Sequence, residues 1–120
     1  CLTGYSLTSF PLLATAAGTS FSFMFYNCYS LTSIPLLDTA AGTSFSGMFA
    51  NCYALAKGAL SGTPQSISYS SCKLSGTELD AIYTALPTVT SKTITVTNNW
   101  GTASDTPSIA TAKGWTVAGS

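Results

Sequence analysis

Three groups of residues in this 120-residue chain have types and spacing that could support chemistry. Ser70-Ser-Cys-Lys73 matches S-x-x-K, in which a serine is the nucleophile of acyl transfer. The S-D-N and K-T-G segments that accompany that motif are absent, and with Ser and Thr at 37 positions a chance match is expected. Glu78 and Asp80 form a close acid pair, the raw material of acid–base catalysis. Two residues apart at a helix start they point to different faces, so dipole and capping duty explains them better. Cys1, Cys28, Cys52 and Cys72 have gaps that match no C-x-x-C zinc or redox signature. His is absent, which removes the usual general base near neutral pH and the commonest metal ligand. The expectation is a protein that is not an enzyme and carries no metal or cofactor. A Ser70-based hydrolase is a third reading behind two non-catalytic ones.

Charge narrows the partners. Four Lys balance Asp38, Glu78, Asp80 and Asp105, Arg is absent, and only 7% of residues are charged. No basic surface is available to neutralise phosphates, which argues against nucleic acid and against anionic lipid. The longest uncharged apolar stretches, such as Phe10 to Ala17, are too short to cross a bilayer, so no membrane insertion is expected. Hydrophobic residues make up 46% of the chain, leaving hydroxyls and backbone to solvate the surface, a composition commoner outside cells. The chain begins at Cys1 rather than Met, as a processed product or a piece of a longer chain does. A first-residue Cys is also what a lipoprotein acceptor site has.

The elements that position these residues are set by a repeat. Residues 6–29 align with residues 30–53 at 20 of 24 positions, differing at Phe10/Ile34, Ala14/Asp38, Phe23/Gly47 and Tyr26/Ala50. A period in the twenties implies one short strand and one return element per coil, stacked on its neighbours. Leu7-x-x-Phe10-x-Leu12 and Leu31-x-x-Ile34-x-Leu36 carry the alternation of strands buried on one face. Phe21, Met24, Phe25 and Cys28, then Phe45, Met48, Phe49 and Cys52, fall at i, i+3, i+4, i+7, the stripe of a two-turn helix N-capped by Thr19 or Thr43.

The same grammar continues in the second half. Ile67-Ser-Tyr69-Ser-Ser-Cys72-Lys-Leu74 reads as another strand motif, followed by a helix from Thr77 with Leu79, Ile82, Tyr83 and Leu86 on its buried face and Pro87 as its stop. Ile94-Thr-Val96-Thr-Asn-Asn99 gives a further strand. Asp105-Thr106-Pro107 starts a helix stopped by Gly114, and Trp115-Thr-Val117 is a last strand. The predicted inward columns are Phe10, Ile34, Ile67, Ile94, Trp115 and Leu12, Leu36, Tyr69, Val96, Val117. Residues 54–65 fit worst and read as an insertion, and residues 66–118 as divergent closing coils of a single domain spanning 1–120.

The motif L-x-x-L-x-L-x-x-(N/C) with a variable return resembles the leucine-rich repeats, and T-S-I-P-L-L-D-T-A-A-G-T-S-F-S-G-M-F-A-N-C resembles their BspA-type branch. Residues 66–118, ending S-I-A-T-A-K-G-W-T-V, resemble the closing coils of phage tail-fibre-like versions. The resemblance implies an α/β leucine-rich-repeat solenoid of about five coils, each with one short parallel strand and a short helix or turn return. It also implies an extracellular, cell-surface or virion setting and a recognition surface rather than a catalyst. Departures are Gly4 in place of a period Cys, the 54–65 segment, and Pro11 and Pro35 inside strand motifs.

With alternate residues inward, the expected outward, ligand-binding face carries Ser9, Pro11 and Leu13, then Ser33, Pro35 and Leu37, then Ser66, Ser68 and Ser70, then Thr93, Thr95 and Thr97. Parallel strands lie about 4.8 Å apart, so these residues form columns of similar groups. Hydroxyl rows suit a polysaccharide and Pro–Leu pairs suit a cell-surface protein, while a solvated sheet face with Thr for strand propensity is the plain alternative. Trp100 is either a packing residue or an exposed ring that stacks on a sugar. Cys28, Cys52 and Cys72 are expected as small buried groups, a Cys28–Cys52 disulfide being the alternative. Recognition through this face is the leading expectation. Assembly of copies of the chain into a fibre is the second.

Overall fold

The computed structural model describes residues 19–119. Seven short elements follow in order: β1 (Leu37–Asp38), β2 (Leu60–Ser61), β3 (Ile67–Ser68), α1 (Gly76–Ala85), β4 (Lys92–Thr95), α2 (Ser108–Thr111) and β5 (Trp115–Ala118). They define a small α/β fold with two parallel sheets, β1-β2 and β3-β4-β5. Ser9, Pro11 and Leu13, with the first expected strand, lie outside the described residues.

Register is the fold's organising variable. Leu37 pairs with Leu60, and Ser33 bridges to Lys57. Residues 57–61, expected within an insertion, thus stand beside the preceding repeat as a partner strand. Ile67 and Ser68 pair with Ile94 and Thr95. β4 then pairs Ile94 with Val117 and Lys92 with Trp115. The expected column that set Trp115 beside Ile94 is therefore displaced by two residues. Trp115 is still buried, its indole N–H donating to the Pro87 carbonyl at 2.9 Å.

A second shift occurs at Pro35. Ile34 is buried and its amide donates to Lys57, but Leu36 is 58% exposed and Leu37 fully buried, the reverse of the alternation expected. Proline has no amide to add to the ladder, so the pleat is interrupted there and restarts at Leu37. Leu37 is a core residue and leaves the expected outward face.

The return segments after Gly18 and Gly42 are not helices. Phe21, Phe25, Phe45, Met48, Phe49 and Cys52 are buried as the stripe requires. The backbone, however, runs as overlapping three-residue-spaced turns, Met24→Phe21, Tyr26→Phe23 and Cys28→Phe25, with Phe23, Asn27, Gly47 and Asn51 at positive φ. Left-handed residues every fourth position are incompatible with an α-helix. Gly47, at φ 64°, suits that place, whereas Phe23 holds it at φ 59° as a non-glycine. The proposed caps Thr19 and Thr43 instead join each other: both the amide and the hydroxyl of Thr43 donate to the Thr19 carbonyl.

α1 begins one residue before the expected Thr77. Ser75 caps it by accepting from the Glu78 amide, and its apolar stripe, Leu79, Ile82, Tyr83 and then Leu86, is buried. Its far end is capped from a distance: the Lys113 ammonium donates to the carbonyls of Tyr83, Thr84 and Leu86 at 3.2, 2.7 and 2.9 Å. A cation there also complements the negative end of the helix dipole. Asp80, expected as a dipole partner, accepts from the amide and hydroxyl of Thr106. α2 is a single turn that follows Pro107, and the chain leaves it through Gly114 at φ 90°.

Polar side chains inside the stack pair with their repeat equivalents. Thr39 and Thr63, 24 residues apart and buried, share a 2.9 Å hydroxyl contact, and Thr39 also donates to the Ser61 carbonyl. Asn99 does the most. Its carbonyl oxygen accepts from the Leu74 amide, and its NH2 donates to the carbonyls of Tyr69 and Val96. Replacing Asn99 by Asp keeps the shape but sets a carboxylate against two buried carbonyls. Asn99→Asp is expected to cost about 2–4 kcal/mol at neutral pH, read by urea unfolding, with part of the loss recovered as the acid is protonated at low pH. A loss below about 0.5 kcal/mol would contradict this reading of the network.

Candidate functional site

The two turn ribbons, 21–28 and 45–52, lie side by side and are joined by a regular ladder. The amides of Phe21, Phe23, Phe25 and Asn27 donate to the carbonyls of Ser44, Ser46, Met48 and Ala50, each at 2.9 Å. Side chains repeat the pattern. Phe21 stacks on Phe45 with ring centroids 5.3 Å apart, Phe25 on Phe49 at 5.5 Å and Tyr29 on Tyr53 at 5.9 Å. Asn51 donates to the Asn27 side chain at 2.6 Å, and the Ser22 and Ser44 hydroxyls meet at 2.6 Å. Such contacts between identical groups are what a translated repeat imposes.

The ladder stops at the second ribbon. Among the described residues, the equivalent amides of Phe45, Gly47, Phe49 and Asn51 meet no acceptor. The Phe49 ring continues the aromatic stack onto Tyr69, centroids 4.6 Å apart, so the next segment is close at core level. Above that contact the two segments part. A pocket of about 410 Å³ lies between Gly47, Ala50, Asn51 and Tyr53 on one wall and Ser68, Ser70 and Ser71 on the other. A second, of about 220 Å³, shares Gly47 and Ser68 with it and extends to Ser66, Thr93 and Thr95. Together they form one groove along the hydroxyl face of β3 and β4.

Five residues expected on the binding face, Ser66, Ser68, Ser70, Thr93 and Thr95, therefore line a groove. The register Ser68↔Thr95 brings them into adjacent columns. Ser68 and Ser70 share a 3.0 Å hydroxyl contact, and Ser66 accepts from the Thr93 amide. Thr97 is exposed beyond the groove, while Ser33 and Pro35 are half-buried beside Lys57 and away from it. Trp100 is 73% exposed, and the Lys73 ammonium lies 5.1 Å from its ring centroid. Trp100 is therefore no core residue, and its exposed ring carries a cation–π contact. Lys73, the lysine of the S-x-x-K match, is thus placed over the Trp100 ring.

The other wall was not anticipated from sequence, although a signal was present. Of the four positions at which the repeats differ, two put Gly47 and Ala50 where the first repeat has Phe23 and Tyr26. Both small residues line the groove, and the Phe23 ring lies so near Gly47 that a Cβ there would strike it. Tyr53, half exposed, completes the wall with its hydroxyl donating to Asn51 at 2.7 Å.

Compared with family models, curated proteins and solved structures, the chain matches none.

The cysteines divide into two kinds. Cys28 is disulfide-bonded, whereas Cys52 and Cys72 are buried free thiols, so no bridge joins the equivalent Cys28 and Cys52 and the expectation of a free Cys28 is corrected. Burial pushes the Cys52 thiol up to about 11, its hydrogen bonding to the backbone countering in part. Burial, and then the neighbouring Cys52, push Cys72 up to about 12. Both remain protonated and unreactive near neutrality. Among the described residues no three His, Cys, Asp or Glu side chains cluster to hold a metal, and no helix is long and apolar enough to cross a membrane.

Two outcomes follow. In hydrogen exchange, the amides of Phe21, Phe23, Phe25 and Asn27 should be protected while those of Phe45, Gly47, Phe49 and Asn51 exchange much faster; equal protection would remove the open row. The thiols are raised on folding from 9.0, so their stabilisation is intact below pH 9 and is lost as pH rises through about 11 to 12. A variant with Ala at both positions should lack that alkaline component in pH-dependent unfolding, and an unchanged profile would contradict it.

Proposed function

We propose that this chain is a non-enzymatic recognition module, a BspA-type leucine-rich-repeat solenoid displayed outside cells or on a virion, whose groove and Ser/Thr strand face bind a cell-surface ligand. The observation that carries the reading is the groove itself. There, paired hydroxyl columns from β3 and β4 face a wall bearing an exposed tyrosine, and four backbone amides lack an acceptor among the described residues. An amide open to water is kept at little cost, and a neutral acceptor-rich ligand replaces that water without having to displace charge. The stacked 24-residue pairings support the solenoid, and the low charge and the absence of His support a binding role over catalysis.

A structural reading is favoured by a separate observation. β5 is the outer strand of its sheet among the described residues, and a parallel edge is a template for another chain. Light scattering over a wide concentration range tests it: growing polymers favour a fibre subunit and a constant monomer removes it.

The recognition reading is tested by changing Ser68 and Thr95 to Arg together. Both lie on the groove's open side, so the thermal midpoint is expected to stay within a few degrees. Binding to an array of surface polysaccharides and surface proteins should fall by about tenfold or more, equivalent to about 1.4 kcal/mol. Undiminished binding by the folded variant would overturn this site.

A further inference from the structure

We propose that the groove takes a short polypeptide by its main chain, the ligand's carbonyls accepting from the amides of Phe45, Gly47, Phe49 and Asn51. The inference rests on the recognition reading and names the ligand class of that same site.

The direction of the amides follows from geometry. No peptide bond among the described residues is cis, so the C=O and N–H of each unit point opposite ways. The carbonyls of Ser44, Ser46, Met48 and Ala50 all point to the first ribbon. The N–H groups of the same four peptide units, those of Phe45, Gly47, Phe49 and Asn51, therefore all point away from it, to the groove side. They form a row of donors at every second residue.

The molecule already shows what such a row binds. Phe21, Phe23, Phe25 and Asn27 are the same row one repeat earlier, and a polypeptide segment fills them, offering carbonyls at alternate residues from Ser44 to Ala50. The opposite wall suits the other edge of a bound chain. Tyr69 and Ser71 donate to Thr95 and Thr97, on the β4 side. The Tyr69 amide points to β4, so the Ser68 carbonyl of the same peptide unit turns to the groove, where it can accept from a ligand's N–H. Both walls thus present main-chain groups, the arrangement in which an added segment completes an interrupted sheet. A sugar polymer matches the hydroxyl columns equally well, but it has no feature that recurs with every second residue of a polypeptide. Ala50, where the other repeat has Tyr26, adds only a methyl to this wall, while the place of a side chain at Gly47 is taken by the Phe23 ring from the first ribbon.

The probe is an end-capped octapeptide, Ser-Phe-Ser-Gly-Met-Phe-Ala-Asn, the sequence of residues 44–51 that fills the equivalent row. Titrated into the isotope-labelled whole chain, it should shift the amide resonances of Phe45, Gly47, Phe49 and Asn51 and slow their exchange by roughly tenfold or more, leaving Phe21, Phe23, Phe25 and Asn27 unmoved. Ser68→Arg should abolish these changes while the chain stays folded. A neutral hexasaccharide of N-acetylglucosamine is titrated in parallel. Failure of the peptide to bind, or binding that leaves the four amides unmoved, overturns the inference. Shifts of the four amides with the saccharide alone overturn it too, yet leave the recognition reading standing. That reading fails by a different result, undiminished surface binding by the Ser68 and Thr95 double variant.

Discussion

The structure depends on one constraint: short segments are joined side by side through alternate peptide groups that reach a segment about 24 residues away along the chain, while turns within each segment take many of the rest. The amides of the first ribbon end on the carbonyls of the second, β1 on β2, and β3 on β4, always parallel. Elements of two to four strand residues would be worthless alone, since such lengths fix backbone entropy for very few hydrogen bonds. Stacking turns these fragments into continuous ladders. It also dictates that like sits on like, which is why phenylalanines, asparagines and threonines meet their own kind across the repeat.

A chain with so little charge must keep its interior polar groups satisfied by other means. The buried threonine pair and the Asn99 network are neutral: Thr39 bonds to the Thr63 side chain and to backbone, and Asn99 bonds to the backbone of Tyr69, Leu74 and Val96. Neutral pairs avoid the desolvation cost of burying ions, yet they define register, because a shift of one residue would leave hydroxyls and amides without partners. The charged groups are used sparingly and locally. Lys113 holds three carbonyls at the end of α1, Asp80 holds the start of the following turn, and Lys73 rests on Trp100.

Much of this was legible in the residues and some was not, for physical reasons. The period, the buried stripe of Phe21, Phe25, Phe45 and Phe49, and the helix with Leu79, Ile82 and Tyr83 inward all follow from spacing, because burial depends on which side of the chain a residue lies. Backbone conformation is another matter. An i, i+3, i+4, i+7 stripe is equally well buried by linked turns, and only the left-handed residues at 23, 27, 47 and 51 distinguish the two; Asn and Gly at three of those places were the available sign. The slip at Pro35 and the two-residue displacement of Trp115 are register effects, set by pairing across the chain that a local pattern does not encode. At the groove, the hydroxyl wall could be read from alternation. The amide wall could not, since main-chain donors leave no trace in residue identity.

The exchange of Phe23 for Gly47 has a consequence for how the chain finds its order. Two segments that agree at 20 of 24 positions offer the Tyr69 segment nearly equivalent seats, and a chain threaded onto the wrong one would bury similar apolar area. The Phe23 ring takes the place of a side chain at 47, so the segment beside the first ribbon needs a glycine there, which 45–52 supplies and 66–72 lacks. That glycine therefore acts as an address. Gly47 admits its own segment beside the first ribbon, and the lack of a glycine in 66–72 deters the third segment from that place, a discrimination made by sterics in a molecule whose hydrogen-bonding surfaces are otherwise interchangeable.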